Sequence, residues 1–477
     1  MKRTKIVATI GPASSDKDTI GKMLDAGMNV ARINFSHGDK HALAASVRRL
    51  RQVAAAKGKT LAILGDLQGP KIRIGKVPND SLALKINDEV LLSADEADQD
   101  NPEIVPFLYP EIIQNIEVGS KLVMGDGEMQ LQVVERDGLR MRAIALVEGE
   151  LGSRKGMNLP GTLIPLPSLT KKDRKDAQLI VDLELDYVAL SFVRAAEDLV
   201  ELKTLLQKLG AKIPVIAKIE KSEAIASLDQ IIEEADGVMV ARGDLGLDMP
   251  AFDVPFLQKE IIRKCNQAGK PVITATQMLQ SMTDKPVPTR AEATDVANAI
   301  LDGTDAVMLS SETAVGRYPV QSVEMMRKIA LRTEEAFPFD EWFDRRREIV
   351  QTNIKNTGDS ISSASCAVAR QISAAAIVTT TVSGYTARQV ARWRPKHPIV
   401  ALTPSMDTMR RMALVWGVES VHVMRFGTID EMIDDIREPL LGAGFQVGDQ
   451  IVITAGVPFG RAGLTNMLQI HQFTESD

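Results

Sequence analysis

Lys218, Glu220 and Asp244 are the side chains of this sequence best placed to do chemistry. Val215–Glu220 (VIAKIE) and Gly237–Asp244 (GVMVARGD) are short apolar runs with charged ends. Side chains alternate faces along a strand, so Lys218 and Glu220 point the same way. Asp244 lies just past the end of the next run. If the two runs are neighbouring parallel strands, one ammonium and two carboxylates meet at one rim. Two carboxylates suit a hard cation such as Mg²⁺. A lysine beside them suits charge that develops on a phosphate or enolate oxygen. A structural ion pair at a sheet edge would need only one such run, and here there are several.

The elements that must carry these groups repeat along the chain. Residues 4–10, 30–35, 61–67, 187–192, 214–219, 237–242, 271–276 and 306–311 are short, aliphatic and nearly unbroken. Such runs read as strands buried on both faces. Helix-like stretches follow most of them, opened by Ser15-Asp16, Ser222 or Asp253, and two close at Gly27 and Gly269. Eight βα units predict a closed (β/α)8 barrel, a fold whose chemistry sits where the strands end. The predicted strand ends carry Asn34, Ser36, Asp66, Lys218, Glu220, Asp244, Thr276, Ser310 and Glu312, which an apolar core does not explain.

The rhythm stops after Leu67 and resumes near Lys171. Between them turn pairs such as Gly125-Asp126-Gly127 and Asp137-Gly138 separate short strands at 121–124, 131–135 and 141–146. The expectation is a discontinuous barrel over 1–69 and 168–345, with a small β-barrel lid inserted over 70–167. An insertion at a strand's C-terminal end stands over the rim, where a lid belongs. Phe337-Pro338-Phe339 and Arg345-Arg346-Arg347 lead into a polar stretch, 351–359, read as a connector. The remainder, 346–477, reads as a C-terminal α/β domain with helices at 360–372 and 386–393 and strands at 375–380, 399–402, 421–423 and 450–455.

Bulk properties narrow the class. The 477 residues suggest about three domains. A net charge of −6 argues against nucleic-acid binding by general electrostatics. The two cysteines, Cys265 and Cys366, form no ligand motif and read as buried thiols in a reducing compartment. Met1-Lys2-Arg3 leads straight into a strand, and no apolar run approaches the ~20 residues of a membrane helix. The expected location is the cytoplasm, with no membrane partner.

Several segments resemble one family, pyruvate kinase. They are Ala31-Arg-Ile-Asn-Phe-Ser-His-Gly38, Asp66-Leu-Gln-Gly-Pro-Lys-Ile-Arg73, Lys155-Gly-Met-Asn-Leu-Pro-Gly161, Ile219-Glu-Lys221, Arg242-Gly-Asp-Leu-Gly246, Ala275-Thr-Gln-Met-Leu279 and Met308-Leu-Ser-Ser-Glu-Thr313. The resemblance covers nearly the whole chain. It implies phosphoryl transfer from phosphoenolpyruvate to ADP, giving pyruvate and ATP. It implies Lys218, Thr276, Arg32 and Arg73 as catalytic residues, and Arg32, Lys218, Gly243, Asp244, Thr276 and Ser310 against the substrate. Mg²⁺, or Mn²⁺ in its place, would sit on Glu220 and Asp244, and ADP near Thr9, Pro12, Asn34, His37, Arg73 and Lys155. Gly243-Asp244 is read as the start of a turn whose free N–H groups hold the substrate carboxylate. The proton donor to the enolate carbon is Thr276 or a water relayed by hydroxyl and carboxylate groups; the sequence leaves both open.

One departure stands out. Members that require K⁺ bind it with residues matching Asn34, Ser36, Asp66 and the Leu67 carbonyl, and carry Glu where this chain has Lys71. A tethered ammonium at Lys71 implies independence from K⁺. In the C-terminal unit, Thr380, Thr381, Ser383, Gly384 and Thr386 match the family's cradle for an effector phosphate. The loop from Gly456 to Gly463 lacks a tryptophan common in bisphosphate-regulated members, so AMP or a sugar monophosphate is the expected effector. The resemblance also implies a homotetramer. Two rivals are a carbon–carbon lyase on a related barrel, which needs no lid or Arg32–Arg73–Lys155 set, and a non-catalytic sensing barrel, which predicts erosion of the rim.

Overall fold

The computed structural model describes residues 2–36, 38–98, 101–125, 127–162, 164–351, 357–424, 428–442, 444–459 and 463–474. Eight strands close a barrel in chain order: Lys5–Ile10, Val30–Asn34, Ala62–Asp66, Tyr187–Leu190, Val215–Ile219, Gly237–Ala241, Val272–Ala275 and Ala306–Leu309. Every pairing is parallel, and the eighth strand returns to the first with Lys5 opposite Ala306. The expected (β/α)8 fold is therefore present. Most strands stop one or two residues before the apolar run does. The chain turns sharply beyond some of these strand ends: Phe192 has φ 55° and Thr276 φ 69°.

The helices between strands follow their capping residues. Asp16 accepts from the Thr19 N–H at the start of Lys17–Ala26, and Gly27, at φ 116°, ends it. Gly269 at φ 68° ends Val254–Ala268 in the same way. The stretch opened by Ser222 is two helices, Ser222–Ala226 and Leu228–Glu234, broken at Ser227.

Between the third and fourth barrel strands the insert packs a six-stranded and a two-stranded sheet around one apolar core that includes Leu92, Leu122, Leu131, Met141 and Leu151. The C-terminal unit is a five-stranded sheet, four strands parallel, with Met467–Gln472 added antiparallel to Gln450–Ala455. That last strand and the helix Ile429–Gly442 are absent from the sequence reading, and the strand expected at 421–423 is Val418–His422. The connector reading also needs correction. Phe339–Gln351 is a helix, and the next helix begins at Thr357. Phe339, Trp342, Phe343 and Arg346 form its inward stripe, which the surrounding charges hide. Residues 352–356 lie outside the described residues.

The C-terminal unit closes the floor of the barrel. Ala413 and Leu414 pack in one cluster with Val7, Leu64, Tyr187, Ile216 and Ile273 from the barrel interior. Polar contacts ring that plug. The Tyr187 hydroxyl donates to the Arg411 carbonyl (2.8 Å), Arg410 Nε to Asp186 (2.7 Å), and Lys5 Nζ to the Val418 carbonyl (2.7 Å). Arg394, 1% exposed, donates to Asp305 and to the Gly303 carbonyl. Leu414→Ala would leave a void under the barrel. Its cost should be about 2–4 kcal/mol, read from the midpoint of the first denaturant transition.

Candidate active site

The rim is built on a buried ammonium. Lys218, on the fifth strand, directs Nζ to Glu220 Oε1 (2.8 Å) and Asp66 Oδ1 (3.3 Å), and donates to Ser191 Oγ (2.6 Å). Ser191 Oγ in turn donates to the Leu67 carbonyl (2.7 Å). Arg32 Nε donates to the other Asp66 oxygen (2.6 Å), and Arg32 Nη1 to Thr9 Oγ1 (3.0 Å), which donates to the Leu309 carbonyl (3.0 Å). One network thus ties the first, second, third and fifth strands to the loop after the fourth.

The titration behaviour follows from this packing. Burial works against the Lys218 charge, but Asp66 and Glu220 overcome it and hold its pKa well above the ordinary lysine value. Burial likewise raises Asp66, yet Lys218 and Arg32 together leave it below the usual carboxylate range. Glu220 is raised, first by burial and then by the nearby charge of Asp244, despite Lys218 and the Phe192 N–H that it accepts at 2.9 Å.

Gly243 and Asp244 start a helix, Arg242–Asp248, rather than a turn. The Gly243 N–H is not free: it donates to Thr276 Oγ1 at 2.8 Å, and a Cβ at Gly243 would come within 3.2 Å of that oxygen. Thr276 is β-branched in the left-handed region, a conformation that costs of order 1–3 kcal/mol. Arg242 pins it, donating Nη2 to the Thr276 carbonyl (2.8 Å) while Nη1 pairs with Asp295 (2.7 Å). On the adjacent strand end, Glu312 accepts the Leu279 and Ser310 N–H groups at 3.0 and 2.7 Å, and burial raises its pKa. Ser310 Oγ is buried with no partner among the described residues.

The carboxylate pair fits a divalent cation. Asp244 and Glu220 stand close enough for one to raise the other's pKa, a repulsion that a cation between them would remove. No group of three or more His, Cys, Asp or Glu residues suited to a metal occurs among the described residues. An ion held there would take two ligands from the pair and would need waters or substrate oxygens for the rest of its shell.

Other expected residues lie away from this network. Arg73 Nη1 donates to the Arg154 carbonyl (3.1 Å), and Lys155 Nζ pairs with Glu128 (2.7 Å), both at the root of the insert. Lys71 lies there too, its Cε 3.1 Å from where a Gly156 Cβ would be, and it is in no ion pair with Asp66. Asn34 Oδ1 accepts the Ser36 N–H (3.0 Å), and Pro12 is exposed in a short 3-10 turn. His37 lies outside the described residues. In the C-terminal sheet, Thr380 ends its strand, Thr381 donates its N–H to the Leu402 carbonyl, and Gly384 (φ 78°) precedes Tyr385–Ala391. Thr386 Oγ1 meets Thr465 Oγ1 at 2.9 Å, and Ser383 is exposed. Of the loop from Gly456 to Gly463, residues 460–462 are outside the described residues. Sequence reasoning missed Ser191, although it shares the inward parity of Tyr187 and Ala189; it also missed the Arg242–Asp295 pair.

A parallel barrel with a buried lysine between carboxylates at its mouth, under a β insert, defines an enzyme of the phosphotransferase class. Two family models match the chain, "Pyruvate kinase, barrel domain" over residues 1–323 and "Pyruvate kinase, alpha/beta domain" over 359–471. The chain belongs to the pyruvate kinase family. It is 46% identical over 478 residues to a pyruvate kinase of Geobacillus stearothermophilus, covering 99% of this chain and 81% of that one. Pyruvate kinases of Sporosarcina psychrophila and Staphylococcus epidermidis are 42% and 43% identical, each over 99% of this chain and 80% of theirs.

The Asp66 network makes stability depend on pH. Its pKa is depressed on folding, so its contribution is complete above the unfolded value of about 4 and is lost as pH falls through the folded one. Asp66→Asn should destabilise the protein by roughly 3 kcal/mol at pH 7. The gap between wild type and variant should narrow as unfolding is measured at successively lower pH below about 4.

Proposed function

We propose that this rim transfers the phosphoryl group of phosphoenolpyruvate to ADP, yielding pyruvate and ATP in glycolysis. The observation that carries the reading is Lys218, a buried, fully charged ammonium between Asp66 and Glu220 with Asp244 beside it. Phosphoryl transfer is mainly positioning and charge neutralisation. Lys218 neutralises charge on the transferring group and on the enolate oxygen, and Arg32 steadies the same oxygens from the second strand. Glu220 and Asp244 would hold Mg²⁺, which when bound screens the substrate's carboxylate and phosphoryl charge. The Asp244 N–H at the helix start orients the substrate carboxylate, the Gly243 N–H being held by Thr276 Oγ1. Thr276 faces the methylene carbon, and the unpartnered Ser310 hydroxyl supports a water as the proton's route. Arg73 and Lys155, at the insert's root, reach the nucleotide when the insert closes.

The same reading extends to regulation and assembly. Thr380, Thr381, Ser383, Gly384 and Thr386 form the cradle for an effector phosphate, AMP or a sugar monophosphate, in a cytoplasmic homotetramer. Lys71 replaces the monovalent cation at Asn34, Ser36, Asp66 and Leu67; its support is the exchange of Glu for Lys at that position.

A coupled assay of pyruvate formation from phosphoenolpyruvate, with and without ADP, tests the activity. Lys218→Ala should lower kcat roughly 10²- to 10³-fold or more while Mn²⁺ still binds, because its charge acts mostly in the transition state. A variant with near-normal kcat would remove Lys218 from the mechanism, and a wild type that forms pyruvate without ADP would replace the transfer reading with a lyase or hydrolase. Initial rates against K⁺ concentration test Lys71: the wild type should run at nearly full rate in large organic cations, and Lys71→Glu should need K⁺. A strong K⁺ requirement in the wild type would overturn the substitution.

A further inference from the structure

Glu220 and Asp244 reach the rim by different routes. Glu220 is fixed through its own side chain: Lys218 holds one oxygen at 2.8 Å, and the Phe192 N–H holds the other at 2.9 Å. Asp244 makes no ion pair or side-chain hydrogen bond among the described residues, so its carboxylate stands where its helix puts it. That helix, Arg242–Asp248, has seven residues, too few to be stable without outside contacts. Whatever ties it down decides where Asp244 stands relative to Glu220.

Polar anchors hold both ends. Arg242 fastens the first turn to Asp295 (2.7 Å) and to the Thr276 carbonyl (2.8 Å). Asp248 fastens the last turn. Its Oδ1 takes the Lys221 ammonium at 2.8 Å, and its Oδ2 takes the Ser222 N–H at 2.7 Å. The pair is buried, with the Lys221 and Asp248 side chains 7% and 3% exposed.

The places of these two residues in the chain give the pair its meaning. Lys221 follows Glu220 directly, and Asp248 lies one helical turn, ~6 Å, beyond Asp244. The pair therefore bridges the two segments that carry the rim carboxylates, just behind both. Burial first, and then the charge of Asp244, raises the Glu220 pKa, so the carboxylates repel across the rim. A force that drives them apart falls on this bridge.

We propose that Lys221 and Asp248 are positioning residues for the divalent cation, their ion pair fixing the gap between Glu220 and Asp244. The proposal rests on the reading of Glu220 and Asp244 as the metal's ligands. Carboxylates already held together need no rearrangement when the cation arrives, whereas a loosened pair must be drawn in at the expense of affinity. A bridge that served the fold alone would change melting and leave metal affinity as it was.

The test counts free Mn²⁺ by its electron-spin resonance as the metal is titrated into the full chain without substrate. Lys221→Met/Asp248→Asn removes both charges together, so no lone ion is left buried, and the new amide can still accept the Ser222 N–H. Its Mn²⁺ dissociation constant should rise about tenfold or more. Half-saturating Mg²⁺ in the pyruvate assay should rise with it, while kcat at saturating Mg²⁺ stays within about threefold of wild type, because Lys218, Asp66 and Arg32 are untouched. Lys221→Gln keeps a neutral donor to Asp248 and guards against a double variant that does not fold; its dissociation constant should rise less, about threefold. Glu220→Gln is the control for the metal reading and should bind Mn²⁺ more weakly than either. Wild-type Mn²⁺ affinity in the folded double variant, or in Lys221→Gln should the double variant not fold, with affinity lost in Glu220→Gln, would overturn the positioning role alone. Wild-type affinity in Glu220→Gln would overturn the metal reading and the positioning role with it.

Discussion

Everything at the barrel mouth depends on keeping one ammonium charged inside protein. Desolvation alone would strip Lys218 of its proton, so two carboxylates are held beside it, and Asp66 in turn is shared with Arg32. The arrangement is a small ionic lattice, each member tolerable only because the others are present. Its cost falls on Glu220, which carries a raised pKa beside Asp244. A site in this state is poised to accept positive charge at the carboxylates and negative charge at the lysine, which describes the two halves of a metal-bound phosphate ester.

The scaffold makes this lattice through sharp exits from the sheet. Lys218 and Asp66 still belong to strands, but Phe192 and Thr276 have left theirs in left-handed conformations. For Thr276 that conformation is costly, and two hydrogen bonds from Arg242 and Gly243 hold it. Strain is thus localised at a residue facing the proposed substrate, while the strand interiors remain ordinary.

Much of this was legible in the residues. Unbroken aliphatic runs marked the barrel because strands buried on both faces have no polar face to alternate with. Lys218, Glu220 and Asp66 were visible as polar groups at the ends of such runs. Ser191 was not, because a serine after an aliphatic run is common; only its parity with Tyr187 betrays it. The helix Phe339–Gln351, ahead of the connector read at 351–359, went unmarked because Asp340, Glu341, Asp344 and three arginines outnumber its apolar stripe, and one of those arginines turns inward. The helical start at Arg242 was masked by its glycines, which suggest a turn. Contacts between distant segments, such as Arg394 with Asp305, leave no periodic trace in a single sequence.

The seal at the barrel floor makes the two units depend on each other. A C-terminal domain that had merely been appended could be excised and leave the barrel intact. Here excision would uncork the barrel, exposing Leu64, Ile216 and Ile273 to water and stripping Tyr187 and Asp186 of the partners they find in Arg411 and Arg410. The barrel and the C-terminal unit share one apolar cluster, so removing either would bare the other's interior to water.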